Sequence, residues 1–211
     1  IYAQWLVPGG FIGAIASVLT GTPLIISLHG SDVFVAERYR LLQPIVRFIF
    51  RQGRHIIACS PDLAQRTIKL GFPAEYITVI PYGVAIEAYA PQSENRSSTR
   101  VMLGVNETTA IVMAMGRLVY KKGFDILIRA IPYVLKYFPE TQFIIAGDGD
   151  LRTELSTLAT KLHVSAAVRF IGHVPWDQTP AYLNAADILV VPSILDEAGN
   201  VDGLPNVLLE A

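Results

Sequence analysis

The last ten residues of the sequence, DGLPNVLLEA over 202–211, combine an acid, a turn and an apolar helical pattern. Pro205 suits the first turn of a helix, where its missing N–H group costs nothing. The unpaired N–H groups at such a helix start bind anions, most often phosphate. The carboxylate of Glu210, further along, can accept two hydrogen bonds from a vicinal diol such as a ribose. The segment can therefore hold a phosphate and a sugar, or it is a strand-to-helix junction with one charged residue on its rim.

A second group of candidate residues lies in GRLVYKKG at 116–123, between a predicted strand and a predicted helix. Arg117 directly follows the strand, and Lys122 stands at the start of the helix. Arginine binds phosphate as a planar fork and lysine as a point charge, so this spacing lets one loop neutralise a diphosphate from two sides. The alternative is a solvated basic loop.

Two more strand ends carry candidate ligand-binding residues. In AGDG at 146–149 the glycines allow the backbone to approach a ligand closely, although the turn is not a dinucleotide fingerprint because a third glycine is missing. His29 ends a strand in HGSD and can hydrogen-bond a substrate hydroxyl or stabilise developing charge. The alternatives are a surface role for His29 and, for Asp32, capping of the helix that follows.

The sequence alternates between short apolar runs and segments of helical period, which predicts parallel β-α-β units. The alternation breaks in PYGVAIEAYAPQSENRSST, at 81–99, and then resumes. We therefore expect a domain over 1–92, a linker region over 93–104 and a second domain over 105–211. Ligands bind beyond the carboxyl ends of the strands in such sheets, so two of them facing each other would share a ligand across a cleft. Strands are expected at 23–29, 55–60, 76–80, 110–115, 141–146, 167–171 and 187–191, and helices at 8–20, 35–52, 61–70, 123–137, 149–162 and 178–185.

Composition narrows the class of protein further. The 211 residues are 52% hydrophobic and 17% charged, which predicts a folded chain with a substantial core. The net charge of −1 argues against a nucleic-acid partner. A single cysteine, Cys59, fits a reducing compartment, and we expect a cytoplasmic protein. The chain starts with Ile1 and stops inside a helical pattern, so we expect a fragment cut at both ends.

Five arginines lie among apolar residues in the segment 35–54, which predicts a basic amphipathic helix. Such a helix either lies on an anionic membrane surface, here the inner face of the membrane, or packs on the core with one solvated face. The histidines are scattered without metal-ligand spacing, so no metal is expected. No nucleophile motif of the G-x-S-x-G kind is present, and no cofactor is expected.

The combination of GRLVYKKGFDILIRA, the AGDG turn, ADILVVPS at 186–193 and DGLPNVLLEA resembles glycosyltransferase family 4. PLIISLHGSDV, at 23–33, resembles the first domain of the same family, so the resemblance covers essentially the whole chain. It implies the α/β GT-B fold, with two Rossmann-like domains, both incomplete here. It also implies a retaining, hexosyltransferase-type enzyme without a bound metal, which moves a sugar from a nucleotide-diphosphate sugar to a lipid-linked, polysaccharide or other glycan acceptor. Cell-envelope polysaccharide biosynthesis is the expected setting.

The resemblance also implies roles for individual residues. Arg117 and Lys122 match the pair that binds the donor diphosphate, and His29 matches a histidine that approaches the donor sugar. Asp202 and Glu210 match the E-x7-E pair of the family, which places Glu210 on the ribose and Asp202 on the donor sugar or its phosphate. The base-reading segment and the rest of the donor site are expected at Phe170, Ile171, Gly172, His173 and Val174, and at Gly116, Gly147, Gly203, Leu204 and Pro205.

The sequence departs from the family pattern at three places. Asp202 is one methylene shorter than the usual glutamate, which shortens its reach. Tyr82 and Ala85 stand where the family usually has asparagine and aspartate. The glycine-rich acceptor loop of the family is not in the chain, so we expect the acceptor site to be incomplete.

Other functions on the same fold remain open at this stage. A nucleotide-sugar epimerase would turn over its substrate without an acceptor, and a phosphorylase would show the absorbance of a lysine-bound pyridoxal cofactor. A non-catalytic binding module would have no need to keep Arg117, Lys122 and Glu210 together. A dehydrogenase lacks its dinucleotide fingerprint here.

Overall fold

Parallel strands alternate with helices in both halves of the chain. The computed structural model describes residues 1–196, 202 and 204–211. It divides the chain into one unit of Ile1–Gly83 with Leu195–Leu204, and a second of Val84–Ile194 with Pro205–Ala211. Each unit contains a four-stranded sheet whose paired strands are all parallel.

The first unit has the sheet order β1-β2-β3-β4. Its buried apolar side chains come from both the sheet and the helices, among them Ile26, Ile49 and Ile56. The strands are β1 (Tyr2–Gln4), β2 (Leu24–Leu28), β3 (Gly53–Ala58) and β4 (Ile77–Val79), and the helices are α1 (Phe11–Thr20), α2 (Ser31–Arg38), α3 (Gln43–Gln52) and α4 (Pro61–Lys69).

Local sequence signals set several of these boundaries. Gly21, with φ of 67°, ends α1 in the left-handed conformation that glycine adopts without steric cost, and its N–H group donates to the carbonyl of Ser17. The Ser60 hydroxyl accepts a hydrogen bond from the Leu63 N–H group, and Pro61 follows as the first residue of α4. These signals are local, and the sequence places α1 and α4 correctly within a few residues.

The second unit has the sheet order β7-β6-β5-β8. Its central strands are buried on both faces, as continuous apolar runs predict. The strands are β5 (Ile111–Met115), β6 (Gln142–Ala146), β7 (Val168–Gly172) and β8 (Ile188–Leu189), and the helices are α5 (Ile86–Tyr89), α6 (Ser93–Met102), α7 (Phe124–Leu135), α8 (Arg152–Lys161), α9 (Thr179–Ala185) and α10 (Val207–Glu210).

The prediction of a single basic helix over 35–54 is wrong in its extent. The chain leaves α2 at Tyr39, which has extended backbone angles, and α3 begins at Gln43. Pro44 explains the interruption, because proline has no N–H group for the carbonyl four residues earlier and its ring clashes with that carbonyl. Arg54 lies in β3 rather than in a helix.

The stretch 93–104, expected to be a linker, contains a helix. Its residues 93–102 form α6, which packs against α9, and the division between the units falls between Gly83 and Val84 rather than at residue 92. The polar sequence SENRSSTR carries no apolar face that would announce a packed helix. Instead, two arginines attach the helix, because Arg96 and Arg100 donate hydrogen bonds to α9 and to the residues that follow it.

Candidate functional site

Three neighbouring strand ends of the second unit form one cavity. Because β5, β6 and β7 are adjacent and parallel, their carboxyl ends lie on the same edge of the sheet, where ligands of open α/β sheets bind. The cavity has a volume of about 570 Å³. The residues that line it are Met115, Gly116, Arg117, Ala146, Gly147, Asp148, His173, Val174, Thr179, Val207 and Glu210.

The backbone at these strand ends is closely packed. The Gly147 N–H group donates to the carbonyl of Gly172 at 2.6 Å, and Gly116 donates to Ala146 at 2.9 Å. Gly147 has φ of 134°, and a Cβ atom there would lie 1.9 Å from the carbonyl oxygen of Gly116. Only glycine fits this position, since both the backbone angle and the contact exclude a side chain. Gly147 therefore holds the edge of the cavity together.

The loop that carries Arg117 and Lys122 is fixed by its neighbours. Leu118 is fully buried, and its backbone exchanges hydrogen bonds with Asp148 and Leu151 on the next strand's loop. Arg117 is exposed at the cavity lining. The Lys122 side chain lies along Gly116, and its Nζ atom would be 3.8 Å from a Cβ atom placed on that glycine. The two cations predicted to bind an anion thus flank the same strand end.

Glu210 reaches the same cavity from α10. Burial raises the pKa of its carboxyl group, and a hydrogen bond with the Tyr89 hydroxyl offsets part of that rise. Burial, together with the charge of Glu210 and the hydrogen bond to it, raises the pKa of Tyr89. A carboxylate has two oxygens that each accept more than one hydrogen bond, so the contact with Tyr89 leaves acceptor positions for a diol.

The predicted base-reading segment divides between core and cavity. Phe170 and Ile171 point to opposite faces of the sheet and pack against the core there, whereas His173 and Val174 line the cavity. Gly172 contributes its carbonyl to the hydrogen bond from Gly147. A carboxylate oxygen of Asp148 accepts the His173 N–H group at 2.9 Å, which orients the chain as it leaves β7.

The remaining predicted residues near the end of the chain are divided between the two units. Leu204 packs against the core of the first unit, and Asp202 is partly buried. Gly203 lies outside the described residues. Pro205 belongs to the second unit, and its carbonyl accepts the N–H group of Leu208 at the start of α10.

His29 in the first unit is held by two contacts at the end of β2. Its ring stacks on Tyr82 with an interplanar angle of 10°, and its Nδ1 atom lies 2.7 Å from the Tyr82 hydroxyl. The Asp32 carboxylate accepts the N–H groups of Leu6, His29 and Gly30. No side-chain cap is present at α2, so Asp32 fixes the loop before the helix instead of capping it.

Sequence reasoning missed several residues of the cavity. Asp148 could have been found, because it stands between two glycines directly after a predicted strand. Thr179, at the start of α9, and Tyr89, which contacts Glu210 from α5, carry no local signal because only the tertiary fold brings them there.

Two kinds of functional feature are absent from the described residues. None of its helices is both long and apolar enough to cross a bilayer. Within residues 1–196, 202 and 204–211, no group of three or more histidine, cysteine, aspartate or glutamate side chains is arranged to hold a metal ion.

Comparison with known proteins gives matches over most of the chain. The family described as glycosyl transferases group 1 matches residues 95–211, and the glycosyl transferase 4-like domain matches residues 1–83. A GDP-mannose-dependent monoacylated α-(1-6)-phosphatidylinositol monomannoside mannosyltransferase of Corynebacterium glutamicum is 38% identical over 134 residues, which are 63% of this chain and 35% of that protein. A GDP-mannose-dependent α-(1-6)-phosphatidylinositol monomannoside mannosyltransferase of Mycolicibacterium smegmatis is 34% identical over 209 residues, 97% of this chain and 53% of that protein.

Among solved structures, HepE from Anabaena in complex with UDP is similar. It has a TM-score of 0.83 and 26% identity, over 96% of this chain and 54% of that protein. The matched part of the chain thus covers about half the length of HepE and of the M. smegmatis relative, and about a third of the C. glutamicum relative.

Proposed function

This chain belongs to the glycosyltransferases of family 4 with the GT-B fold, as the sequence predicted, and we propose that the protein moves a sugar from a nucleotide-diphosphate sugar to a lipid-linked or other glycan acceptor with retention of configuration. Hexosyl transfer is the expected subtype, and no metal or other cofactor is assigned. The names of its relatives support a nucleotide-sugar donor, because two of them use GDP-mannose and a similar structure was solved with UDP.

The observation that carries this proposal is the set of groups around the cavity of the second unit. Arg117 and the backbone of Gly116 stand at the end of β5, Lys122 lies against Gly116, and Glu210 lines the same cavity. A nucleotide-diphosphate sugar presents a diphosphate, a ribose diol and a base, and these groups match two cations, a carboxylate and the His173–Val174 backbone.

The chemistry that these residues would assist is charge separation. The bond between the sugar C1 atom and the phosphate oxygen breaks, and its electron pair stays on the diphosphate. The acceptor oxygen forms the new bond to C1 on the same face and loses its proton to an oxygen of the leaving phosphate. Negative charge grows on the diphosphate in the transition state, so fixed cations there stabilise the transition state more than the bound donor.

We assign the remaining roles from the family resemblance. His29 approaches a hydroxyl of the donor sugar, and Asp202 binds the donor sugar or its phosphate. Gly203, Leu204 and Pro205 form part of the donor site. These roles can be tested by substitution once donor and acceptor are identified.

The experiment that tests the function is a transfer assay with the full-length protein. UDP-glucose and GDP-mannose are offered with glycolipid and oligosaccharide acceptors, and the anomeric configuration of the product is read by NMR. We expect a product with the configuration of the donor. An inverted product would refute retention, and nucleotide binding without any transfer or hydrolysis would indicate a binding module.

Nucleotide binding should depend on the ionisation of Glu210. Only the carboxylate accepts hydrogen bonds from both ribose hydroxyls, and burial holds the pKa of this group above the ordinary glutamate value of 4.5. The donor should therefore bind with full affinity above the pKa that Glu210 has in the nucleotide-free protein, and the affinity should fall as the pH drops through that pKa. Glu210→Gln should weaken binding at neutral pH by at least about tenfold, since hydrogen bonds to a charged group contribute about 1.5–3 kcal/mol.

Calorimetric titration with UDP-glucose and GDP-mannose across mildly acidic pH checks this prediction, because the diphosphate of a nucleotide sugar does not itself titrate there. Asp148 and His173 line the same cavity, so the pH dependence assigned to Glu210 is the part that Glu210→Gln removes. Tyr89→Phe removes the hydrogen bond that lowers the pKa of Glu210, and should move the loss of affinity to higher pH. Equal affinities for Glu210→Gln and wild type would contradict the ribose assignment.

We also propose that the first unit associates with an anionic membrane surface. Helix α1 packs on α3 through Phe11 and Phe48, and it exposes an apolar row formed by Ile12, Ile15, Val18 and Leu19. Helix α3 exposes Arg47 and Arg51 and contains no acidic residue. Apolar side chains beside cations suit the boundary between acyl chains and anionic head groups.

Flotation with vesicles of phosphatidylserine and phosphatidylcholine tests the membrane proposal. We expect wild type to float with the vesicles at low ionic strength, and the fraction to fall as salt rises, because exposed charges are screened. Leu19→Glu and the pair Arg47→Glu with Arg51→Glu should abolish flotation, whereas Arg129→Glu on α7 should not. Wild-type protein that stays at the bottom of the gradient at low salt would contradict the membrane proposal.

A further inference from the structure

The side chains of Cys59, Tyr82 and His29, all in the first unit, contact one another in that order. The Tyr82 hydroxyl lies 2.7 Å from the Nδ1 atom of His29 and is also hydrogen-bonded to the thiol of Cys59. Cys59 is almost completely buried, and Tyr82 packs against the same core. The proposed function assigns no role to Tyr82 or Cys59.

The protons on these three side chains can be assigned from chemistry. Burial raises the pKa of the Cys59 thiol, in spite of its hydrogen bond with Tyr82, so the sulfur carries its proton at neutral pH. Burial and the contact with Cys59 also raise the pKa of the Tyr82 hydroxyl, so it is a neutral phenol with one proton. A hydroxyl with one proton and two partners donates to one of them and accepts from the other.

The chemistry of the two partners favours one direction. The Tyr82 hydroxyl lies within hydrogen-bond distance of Nδ1, 2.7 Å away. Sulfur is a weak acceptor and imidazole nitrogen a strong one, so the phenol donates to Nδ1 rather than to the thiol. The thiol then donates to the phenol oxygen.

A donor on Nδ1 places the remaining ring proton of neutral His29 on Nε2. That atom is buried, and among the described residues it has no hydrogen-bond partner. The backbone of His29 is fixed as well, because its N–H group and that of Gly30 both donate to Asp32. A neutral donor is thus held in a fixed position with no acceptor from the described protein.

We propose that Tyr82 is a positioning residue that holds His29 as the Nε2–H tautomer, so that Nε2 donates a hydrogen bond to an oxygen of the bound sugar. The sugar contact in this inference rests on the proposed function, whereas the tautomer of His29 does not.

The tautomer is measured by NMR of the histidine side-chain nitrogens in the full-length protein, with His29 assigned by loss of its signals in His29→Gln. We expect an Nε2–H ring in wild type and a mixture of tautomers in Tyr82→Phe, which keeps the stacked ring but lacks the hydroxyl. Cys59→Ala removes the other partner of the same hydroxyl and should leave the tautomer unchanged. Circular dichroism and thermal melting verify that each variant is folded.

Activity supplies the second readout. Tyr82→Phe should lower kcat about fivefold, which corresponds to the loss of one ordinary hydrogen bond, and should change KM little. Tyr76→Phe, at an exposed tyrosine, is the control and should match wild type. An Nδ1–H ring in wild type, or the same single tautomer in Tyr82→Phe, would overturn the inference. Full activity in Tyr82→Phe with the expected mixture of tautomers would overturn the sugar contact. If the tautomers behave as expected and no sugar is transferred by wild type, the proposed function fails instead.

Discussion

Replacement of Lys122 by alanine should lower kcat at least tenfold, which corresponds to about 1.4 kcal/mol of lost transition-state stabilisation. The lysine side chain lies against Gly116, next to Arg117 and at the end of the central strand β5. A cation at this position interacts more strongly with the leaving diphosphate than with the intact donor, because the leaving group has gained charge. The loss should therefore fall mainly on kcat rather than on KM.

Binding measurements separate this explanation from a general loss of affinity. Free UDP carries more negative charge than UDP-glucose, so Lys122→Ala should weaken UDP binding more than UDP-glucose binding. Arg117→Ala should act in the same direction, and the double variant should show non-additive effects because both cations neutralise one anion. Lys136→Ala, which removes the same charge at the end of α7, is the control and should keep the wild-type kcat. Turnover of Lys122→Ala within twofold of wild type would contradict the diphosphate role.

The sequence predicts the sheets of this protein better than its polar contacts. Strands such as β5 and β6 are short apolar runs that are buried on both faces, and their type is visible without tertiary information. Their order along the chain also predicts that Arg117 and Gly147 follow neighbouring strand ends. The cavity of the second unit contains both, together with Glu210.

The features that sequence reasoning missed depend on residues far apart in the chain. Tyr82 and His29 are 53 positions apart, so the hydrogen bond between them has no local pattern. Strand β1 has three residues, too few for an alternation to be recognised. The polar run at 93–100 lies in the stretch predicted to be a linker, 93–104, because charged and hydroxyl residues are typical of exposed segments.

Arg100 explains why that polar run is a packed helix. Its side chain is 1% exposed, and it donates hydrogen bonds to the carbonyls of Ala185, Asn106 and Thr109. Its Nη1 atom lies 3.5 Å from a carboxylate oxygen of Asp187. Ala185 is 85 positions away, so neither the burial nor the partners of this arginine could be anticipated from the helix sequence. Guanidinium groups suit such a position, because they stay charged and present five donors in a fixed plane.

Arg100→Met should destabilise the second unit by about 3–5 kcal/mol, since it leaves the carbonyls of Ala185, Asn106 and Thr109 without their donor, and each unsatisfied group costs about 1–3 kcal/mol. Local hydrogen exchange is the appropriate measurement, because a chain with two units need not unfold in a single step. We expect amides of β5 and β6 to lose protection while those of β2 and β3 keep theirs. Arg129→Met is the control, because Arg129 is 63% exposed and its ion pair with Asp125 is 3.9 Å long. Its effect should stay within about 0.5 kcal/mol.

The acid sensitivity of the second unit should change in the same variant. Desolvation raises the pKa of Asp187, but hydrogen bonds from Ile111 and Arg96 and the charges of Arg96 and Arg100 outweigh it, so the pKa is lowered below the ordinary 3.8. A lowered pKa stabilises the folded state above 3.8, and that stability is lost as the pH falls through the folded value. Arg100→Met removes one of the two charges, so the pKa of Asp187 should rise and protection of β5 should be lost at higher pH than in wild type. An unchanged acid midpoint, with Arg96 still paired to Asp187 at 2.6 Å, would show that Arg100 serves the carbonyls alone.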